Sequence, residues 1–329
     1  MIEAFQRAVS SANQNTYKFA LGRAIIEEYK GNLHIPLSLI ASRFAEYYYK
    51  NQIVFKIHET NNPSQEPTAV LILRKLVKNK YGDFPPPHRI TKKFRDDFAG
   101  KLLNPPTDWG HSVFTYVLPC WQGAKKNSRG YYDYPRIGRN DFWDYSMDDG
   151  FIALIPEFAK TIDLYRSILL SLVILEWASF LEKFNQTPNL ISKLSAKKPL
   201  RRLSKFRIIF EQVPRLKANV CHLCRTHIPL NDFTLDHIIP YDYVYSDDLW
   251  NLVPAHRNCN SKKGARIGSK RMIRELIERN YLLWNFQETL TQKWIRSYAA
   301  SGISLENKIL SIIDAAIKAG FSQVKDSDF

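Results

Sequence analysis

Apolar residues in the first third of the chain recur at the three- and four-residue spacing of amphipathic helices. Proline at the starts of these segments, and glycine, asparagine or proline at their ends, mark helix boundaries. The pattern predicts helices over about residues 15–30, 36–50, 67–79 and 91–103.

The pattern then changes to short runs of β-branched and aromatic residues. His111–Leu118 predicts a strand on this basis. Phe142–Met147 and Phe151–Ile155 flank the turn sequence Asp148-Asp149-Gly150, so they predict a β-hairpin.

A long apolar helix is predicted next, from about Glu157 to Asn185. Its most apolar run, Ser167–Leu175, falls well short of the roughly twenty residues that cross a bilayer. We therefore expect a buried core helix and no membrane partner.

These elements predict an α+β protein that is mostly α. Residues 1–190 form a mostly helical recognition or regulatory domain with a small sheet, and residues 191–214 form a basic linker or helix. Residues 215–270 form a small C-terminal module, and residues 271–329 form C-terminal helices.

Charge adds a partner to this picture. The 329 residues carry 47 Lys+Arg and 32 Asp+Glu, a net charge of +15. Residues 191–280 alone hold 18 Lys+Arg and 8 Asp+Glu, which is +10 of that excess. A concentration of positive charge of this kind is typical of proteins that bind a polyanion, most often nucleic acid.

Cysteine usage indicates the compartment. Four cysteines in a chain of this length do not make a secreted disulfide scaffold, and the N-terminal residues lack the apolar core of a secretory signal. We expect a cytoplasmic protein with reduced thiols.

Two pairs of metal-ligand residues stand in the basic region. Cys221 and Cys224 are two residues apart, and after a gap of 31 residues His256 and Cys259 repeat that spacing. Three thiolates and one imidazole suit a closed tetrahedral Zn²⁺ site. A redox-active Cys-x-x-Cys pair is the alternative, and His222 and His227 are nearby substitute ligands.

Between these pairs lies Asp236-His237-Ile238-Ile239-Pro240, followed by Asn251, and the second pair runs into Asn260. This combination resembles the HNH endonuclease family, in its variant with asparagine as the third letter. The resemblance covers about residues 215–270. His256 stands where many zinc-bearing members have cysteine.

The resemblance implies a ββα-metal fold and specific roles for these residues. His237 would be the general base that activates water, and Asn251 would orient it. Asp236 and Asn260 would hold a catalytic Mg²⁺ or Mn²⁺, and the zinc would be structural. Chemistry agrees, because imidazole is mostly neutral at pH 7 and Mg²⁺ prefers oxygen ligands.

The expected activity is metal-dependent hydrolysis of DNA phosphodiester bonds, with RNA left open as a substrate. Four basic residues after the second pair are expected to contact phosphates. They are Lys262, Lys263, Arg266 and Lys270. The family resemblance extends to nucleases of bacterial restriction and anti-phage systems, with a homodimer or a defence-system protein as partner. Two alternatives remain open: a non-catalytic zinc module that binds nucleic acid, and a nuclease effector gated by its N-terminal sensing domain.

Overall fold

The computed structural model describes most of the chain as two compact units, an N-terminal unit, Met1–Asn185, and a C-terminal unit, Gln186–Phe329. The described residues are 1–11, 16–60, 66–105, 112–122, 136–195, 201, 203–285, 291, 295–299 and 301–329. The predicted class is confirmed, since the chain is mostly helical with a small sheet.

Helices form most of the N-terminal unit. They are α1 (Ile2–Ser10), α2 (Tyr17–Glu28), α3 (Leu37–Tyr49), α4 (Thr68–Tyr81), α5 (Lys92–Leu103), α6 (Val113–Val117) and α7 (Pro156–Glu182). The apolar positions that predicted α2 are buried, and α2 packs against α3 and α7. A π-helical turn, Lys50–Val54, extends α3.

A four-stranded antiparallel sheet completes this unit. Its strands are β1 (His34–Pro36), β2 (Ile137–Arg139), β3 (Trp143–Ser146) and β4 (Phe151–Leu154), in the order β1-β4-β3-β2. The predicted hairpin is confirmed, with Trp143 opposite Leu154 and Ser146 opposite Phe151. Gly150 ends the turn at φ 70°, a conformation that favours glycine.

The predicted strand over His111–Leu118 is wrong: Val113–Val117 is the helix α6, and His111 lies outside the described residues. Ser112 caps α6 by accepting a hydrogen bond from the Phe114 backbone N–H at 3.3 Å. Phe114 is fully buried against Phe44, with ring centroids 5.3 Å apart. Tertiary burial of this face outweighs the strand propensity of its residues.

The long helix predicted after the hairpin is confirmed as α7. By length and composition alone α7 could also cross a membrane, with 28% of its most apolar window buried. One face packs against α2, where Trp177 stacks on Phe19 at 6.3 Å. Leu164, Ile168 and Leu175 are exposed, so the prediction of a buried core helix holds for one face only.

Glu59 is a buried carboxyl group of the N-terminal unit, and it gives this unit a dependence on pH. It is 1% exposed, and one oxygen accepts a hydrogen bond from Asn51 Nδ2 at 2.8 Å. Burial raises the pKa of Glu59 from 4.5 to about 7. The folded state therefore holds the proton more tightly than the unfolded state does, and this stabilisation is lost as pH rises through 7.

We expect Glu59→Gln to gain stability over the wild type as pH rises from about 5 to about 8, by about 3 kcal/mol in the free energy of unfolding. Thermal unfolding of both proteins across this range measures the difference. Glu182→Gln, at an exposed position of α7, is the matched control. Unfolding curves of Glu59→Gln and wild type that shift in parallel with pH would contradict the prediction.

The C-terminal unit contains a two-stranded sheet surrounded by helices. Its elements are α8 (Leu190–Leu194), α9 (Leu203–Gln212), β5 (Phe233–His237), α10 (Tyr241–Val244), β6 (Leu252–His256), α11 (Arg257–Lys263), α12 (Lys270–Asn285) and α13 (Gly302–Lys318). Strands β5 and β6 are antiparallel, with His237 opposite Leu252. The order of strand, strand and helix that the resemblance implies for this module is present in β5, β6 and α11, with the short helix α10 between the strands.

The basic region 191–214 contains α8 and α9, and residues 196–200 and 202 lie outside the described residues. Helix α9 packs against β5 and contributes Phe206 and Phe210 to the core of this unit. Lys193 is buried, and its ammonium group donates to the Tyr243 carbonyl. Part of the basic run is therefore structural rather than available to a partner.

Candidate active site and metal centre

The four predicted zinc ligands come together. The ligand atoms of Cys221, Cys224, His256 and Cys259 all lie within 4.8 Å of one another. His256 Nδ1 is 3.4 Å from Cys224 Sγ and 3.7 Å from Cys259 Sγ. Sulfur and nitrogen on a tetrahedral Zn²⁺ lie about 3.6 Å apart, given bond lengths of about 2.3 and 2.0 Å. The donor set and its spacing fit zinc, whereas a redox pair needs only two thiols.

Local backbone structure brings each ligand to this cluster. Cys221 and Cys224 lie on a tight turn in which the Cys221 N–H donates to the Thr226 carbonyl at 2.8 Å, and Arg225 adopts φ 64°. His256 ends β6, and Cys259 lies in the first turn of α11. The sheet therefore brings the second pair to the turn that carries the first.

Hydrogen bonds around the cluster favour metal binding. His256 Nε2 donates to the His227 carbonyl at 2.9 Å, which leaves Nδ1 free to coordinate. Burial raises the pKa of the Cys224 thiol, but its contacts with Thr226, Cys221 and Cys259 together outweigh burial and lower the pKa to about 6. A thiol with this pKa is readily deprotonated, as a zinc ligand must be.

His222 and His227 are not part of the cluster, although the sequence left both open as ligands. His222 Nε2 donates to the Met272 carbonyl at 2.9 Å, and burial lowers the pKa of His222 to about 4. His227 contributes its backbone carbonyl rather than its ring. His222 is thereby a neutral structural contact to α12.

His237 lies at the end of β5, where its imidazole meets a carboxylate that the sequence did not indicate. His237 Nε2 is 3.1 Å from Asp247 Oδ1, and both residues are buried. Arg201 Nε lies 3.2 and 3.0 Å from the two Asp247 oxygens. The Arg201 guanidinium also stacks over the Tyr241 ring at 3.9 Å. His237, Asp247 and Arg201 thus form a chain of charge-assisted contacts.

Asn251 lies beside this triad. In the described structure its side chain makes no hydrogen bond to the His237 imidazole. Its Oδ1 accepts from the Ile239 N–H, and its Nδ2 donates to the Ile239 carbonyl, both at 2.8 Å. Asn251 therefore fixes the backbone two residues after His237, and the direct contact with the ring comes from Asp247.

Asp236 and His237 are both buried, although they are adjacent in a strand. Asp236 Oδ1 accepts a hydrogen bond from the His237 N–H at 2.7 Å. Asp236 Oδ2 is 3.2 Å from Lys263 Nζ, an ion-pair distance without hydrogen-bond geometry. Burial raises the pKa of Asp236, and the Lys263 ammonium opposes this rise.

A buried carboxylate oxygen suits a cation ligand, and the Lys263 ammonium is the cation that lies beside Asp236 Oδ2 in the described structure, at 3.2 Å. Asn260 is half-buried on α11, the helix that packs on β5. Carboxylate and amide oxygens are the donors that Mg²⁺ prefers. Asp236 and Asn260 are therefore suited in chemistry to hold the predicted catalytic ion.

The four predicted phosphate contacts differ in their surroundings. Lys263 is 1% exposed and pairs with Asp236, so burial removes its ammonium from any phosphate-binding surface. Arg266 donates to the carbonyls of Lys262 and Lys263 and pairs with Asp328 at 3.3 Å. Lys262 and Lys270 remain exposed.

Helix α12 donates hydrogen bonds to the backbone on both sides of Asn251. Its half-buried Arg279 donates to the carbonyls of Leu249, Trp250 and Leu252, on either side of Asn251. Burial lowers the pKa of Arg279 to about 9. Asn280 adds a bond from Nδ2 to the Trp250 carbonyl at 2.7 Å. The backbone that carries Asn251 is therefore tied to α12.

Comparison with known proteins supports the assignment of this module. Residues 221–266 match the family model described as HNH endonuclease. No curated protein and no solved structure matches the chain. The matched segment begins at Cys221 and includes both pairs of zinc-ligand residues, Asp236, His237, Asn251 and Asn260.

Proposed function

Because residues 221–266 form an HNH endonuclease domain, with nucleic acid as the implied substrate, we propose that the chain is a Mg²⁺- or Mn²⁺-dependent endonuclease that hydrolyses DNA. The observation that carries this proposal is the His237 imidazole, 3.1 Å from the buried Asp247 and next in sequence to Asp236. Structural zinc on the cluster of three cysteines and one histidine would stabilise the fold of the module.

Asp247 would select which tautomer the imidazole of His237 adopts. Its carboxylate, paired with Arg201, accepts a hydrogen bond from His237 Nε2–H. The lone pair then resides on Nδ1, which makes no hydrogen bond to any described residue. Nδ1 takes a proton from water as the water oxygen attacks phosphorus. The bond from phosphorus to the 3′ oxygen breaks, that oxygen takes a proton from solvent water, and His237 returns its proton to solvent, which gives 5′-phosphate and 3′-hydroxyl ends.

A divalent cation held by Asp236 and Asn260 would stabilise negative charge on the phosphoryl and leaving oxygens. The chain itself supplies the base, its positioning carboxylate and basic residues for the substrate. Lys262 and Lys270 would contact phosphates, and their exposure supports this role. A cytoplasmic location and a role in defence stay predictions.

The test is incubation of the full chain with Mg²⁺ or Mn²⁺ and matched DNA and RNA substrates. We expect DNA to be cut and the cutting to stop with a chelator. Cleavage of RNA alone would contradict the DNA assignment. Binding without cleavage of either substrate, under all metal conditions, would favour the non-catalytic zinc module.

We expect Asp247→Asn to lower kcat by about a hundredfold or more, since general-base catalysis contributes about 10²–10⁴-fold. An amide cannot match the charge of Arg201, and it weakens the hold on the Nε2–H tautomer. KM and DNA affinity should stay near the wild-type values, a split that a merely unfolded site would not produce.

Asp248→Asn is the matched control, because Asp248 accepts a hydrogen bond from Ser246 and belongs to the same loop. Equal kcat for wild type and Asp247→Asn would contradict the positioning role. Partial recovery in Asp247→Glu, which restores the charge, would support it.

A further inference from the structure

An apolar groove of about 800 Å³ runs between α12 and α13 in the C-terminal unit. Ile273, Ile277 and Tyr281 line it from α12, and Leu310 and Ile317 line it from α13. Tyr281 is 48% exposed, Leu310 44% and Ile317 47%. These side chains form an exposed apolar surface that the proposed catalysis does not use.

The spacing of this surface is that of a helix-bundle seam. The groove residues of α13 are Glu306, Leu310, Ile313 and Ile317, which are separated by four, three and four positions, as in a heptad repeat. Helices α12 and α13 have 16 and 17 residues, so both are about 25 Å long. Two antiparallel helices of matched length with a shared apolar seam are half of a four-helix bundle.

Charge is distributed unequally along the groove. Helix α13 begins beside Tyr281, and the chain after it returns to pair Gln323 with Ile267, so the two helices are antiparallel. Lys270 and Arg274 therefore lie at one end of the groove, whereas Glu278 and Glu306 lie toward the other.

We propose that a second copy of this chain docks in the groove and completes an antiparallel four-helix bundle. The two-fold axis crosses the helices, so α12 packs on α12 of the second copy and α13 on α13. Arg274, which lies 3.9 Å from Glu278 of its own helix, then also faces Glu278 of the second copy. A two-fold axis along the helices would instead bring Glu278 near Glu306 of the second copy, so charge selects the crossing axis.

The dimer would place two cutting sites at a fixed separation. Arg279 and Asn280 join α12 to the backbone beside Asn251, so a contact made by α12 positions the active site as well. This consequence rests on the proposed nuclease function: each site cuts one strand, and the dimer cuts both. The docking proposal rests on the groove and its charges, and it does not depend on nuclease activity.

Light scattering on the full chain, across a wide concentration series, tests the proposal. We expect a mass twice the 38.3 kDa of one chain. Tyr281→Glu with Leu310→Glu should give a folded monomer, because both side chains are exposed, and circular dichroism checks the fold. Glu278→Arg alone should raise the dissociation constant by about tenfold or more, equal to about 1.4 kcal/mol.

The charge-swap variant Arg274→Glu combined with Glu278→Arg is the most decisive test. It restores opposite charges across the two-fold axis and should recover the dimer. A wild type that is monomeric at every concentration would overturn the proposal, as would groove variants that leave a dimer intact. On plasmid, the monomeric variant should nick without linearising. A dimer without any cleavage would keep the docking and reject the nuclease.

Discussion

The His237→Ala protein is expected to leave supercoiled plasmid intact where the wild type nicks it. The imidazole contacts Asp247 through Nε2, and within the described structure its Nδ1 makes no hydrogen bond. Its removal should lower the cleavage rate by about 10²–10⁴-fold, the usual contribution of a general base. Nicking measured over time on agarose gels, with Mg²⁺ or Mn²⁺, gives the rate.

Two controls keep this result interpretable. His227→Ala removes an exposed imidazole from the same domain but keeps the backbone carbonyl that holds His256, so it should retain activity. Zinc content and DNA affinity of His237→Ala should equal those of the wild type. Equal nicking by wild type and His237→Ala would locate the activity elsewhere or in a contaminant.

Cys221→Ser combined with Cys224→Ser is expected to abolish zinc binding and to unfold the HNH domain. Structural zinc contributes about 10–16 kcal/mol of apparent binding energy, as much as the whole stability of a typical domain. The strands β5 and β6 have only five residues each, so little else in the sheet can offset that loss.

Elemental analysis should find about one zinc per wild-type chain and none in the double variant. Limited proteolysis should then cut the variant within residues 221–266, while the N-terminal unit resists. Cys120→Ser, which leaves all four ligands of the cluster unchanged, should keep the zinc. Wild-type protein that purifies without zinc but with a Cys221–Cys224 disulfide would instead favour the redox alternative.

The candidate site shows what spacing along a sequence can predict. The zinc ligands and the residues Asp236, His237 and Asn251 lie in a compact segment, where local strands and turns fix their positions. Arg201 and Asp247 are 46 residues apart, and no periodicity relates them. Their meeting depends on how the chain before β5 folds back over the loop after it. The sequence could not indicate Asp247, because the burial that distinguishes this carboxylate depends on tertiary packing.

The difference between local sequence and tertiary packing also explains why the predictions for α6 and for Lys263 differ from the structure. Val113–Val117 has the composition of a strand, but its neighbours bury it as a helix. Lys263 belongs to a basic run that suggests a phosphate-binding surface, but the turn of α11 directs its ammonium inward to Asp236. Composition predicted the sign of the charge correctly, whereas the direction of each side chain depended on packing.

Arg279 joins the segment that matches the HNH family to a helix that follows it in the sequence. The matched segment ends at residue 266, yet the carbonyls of Leu249 and Leu252 find their donors on α12. Ile267 in turn pairs its backbone with Ser322 and Val324, near the end of the chain. Truncation after residue 266 would expose these polar groups and the apolar face under α12. The compact unit that contains these donors, Gln186–Phe329, is about three times the length of the matched segment.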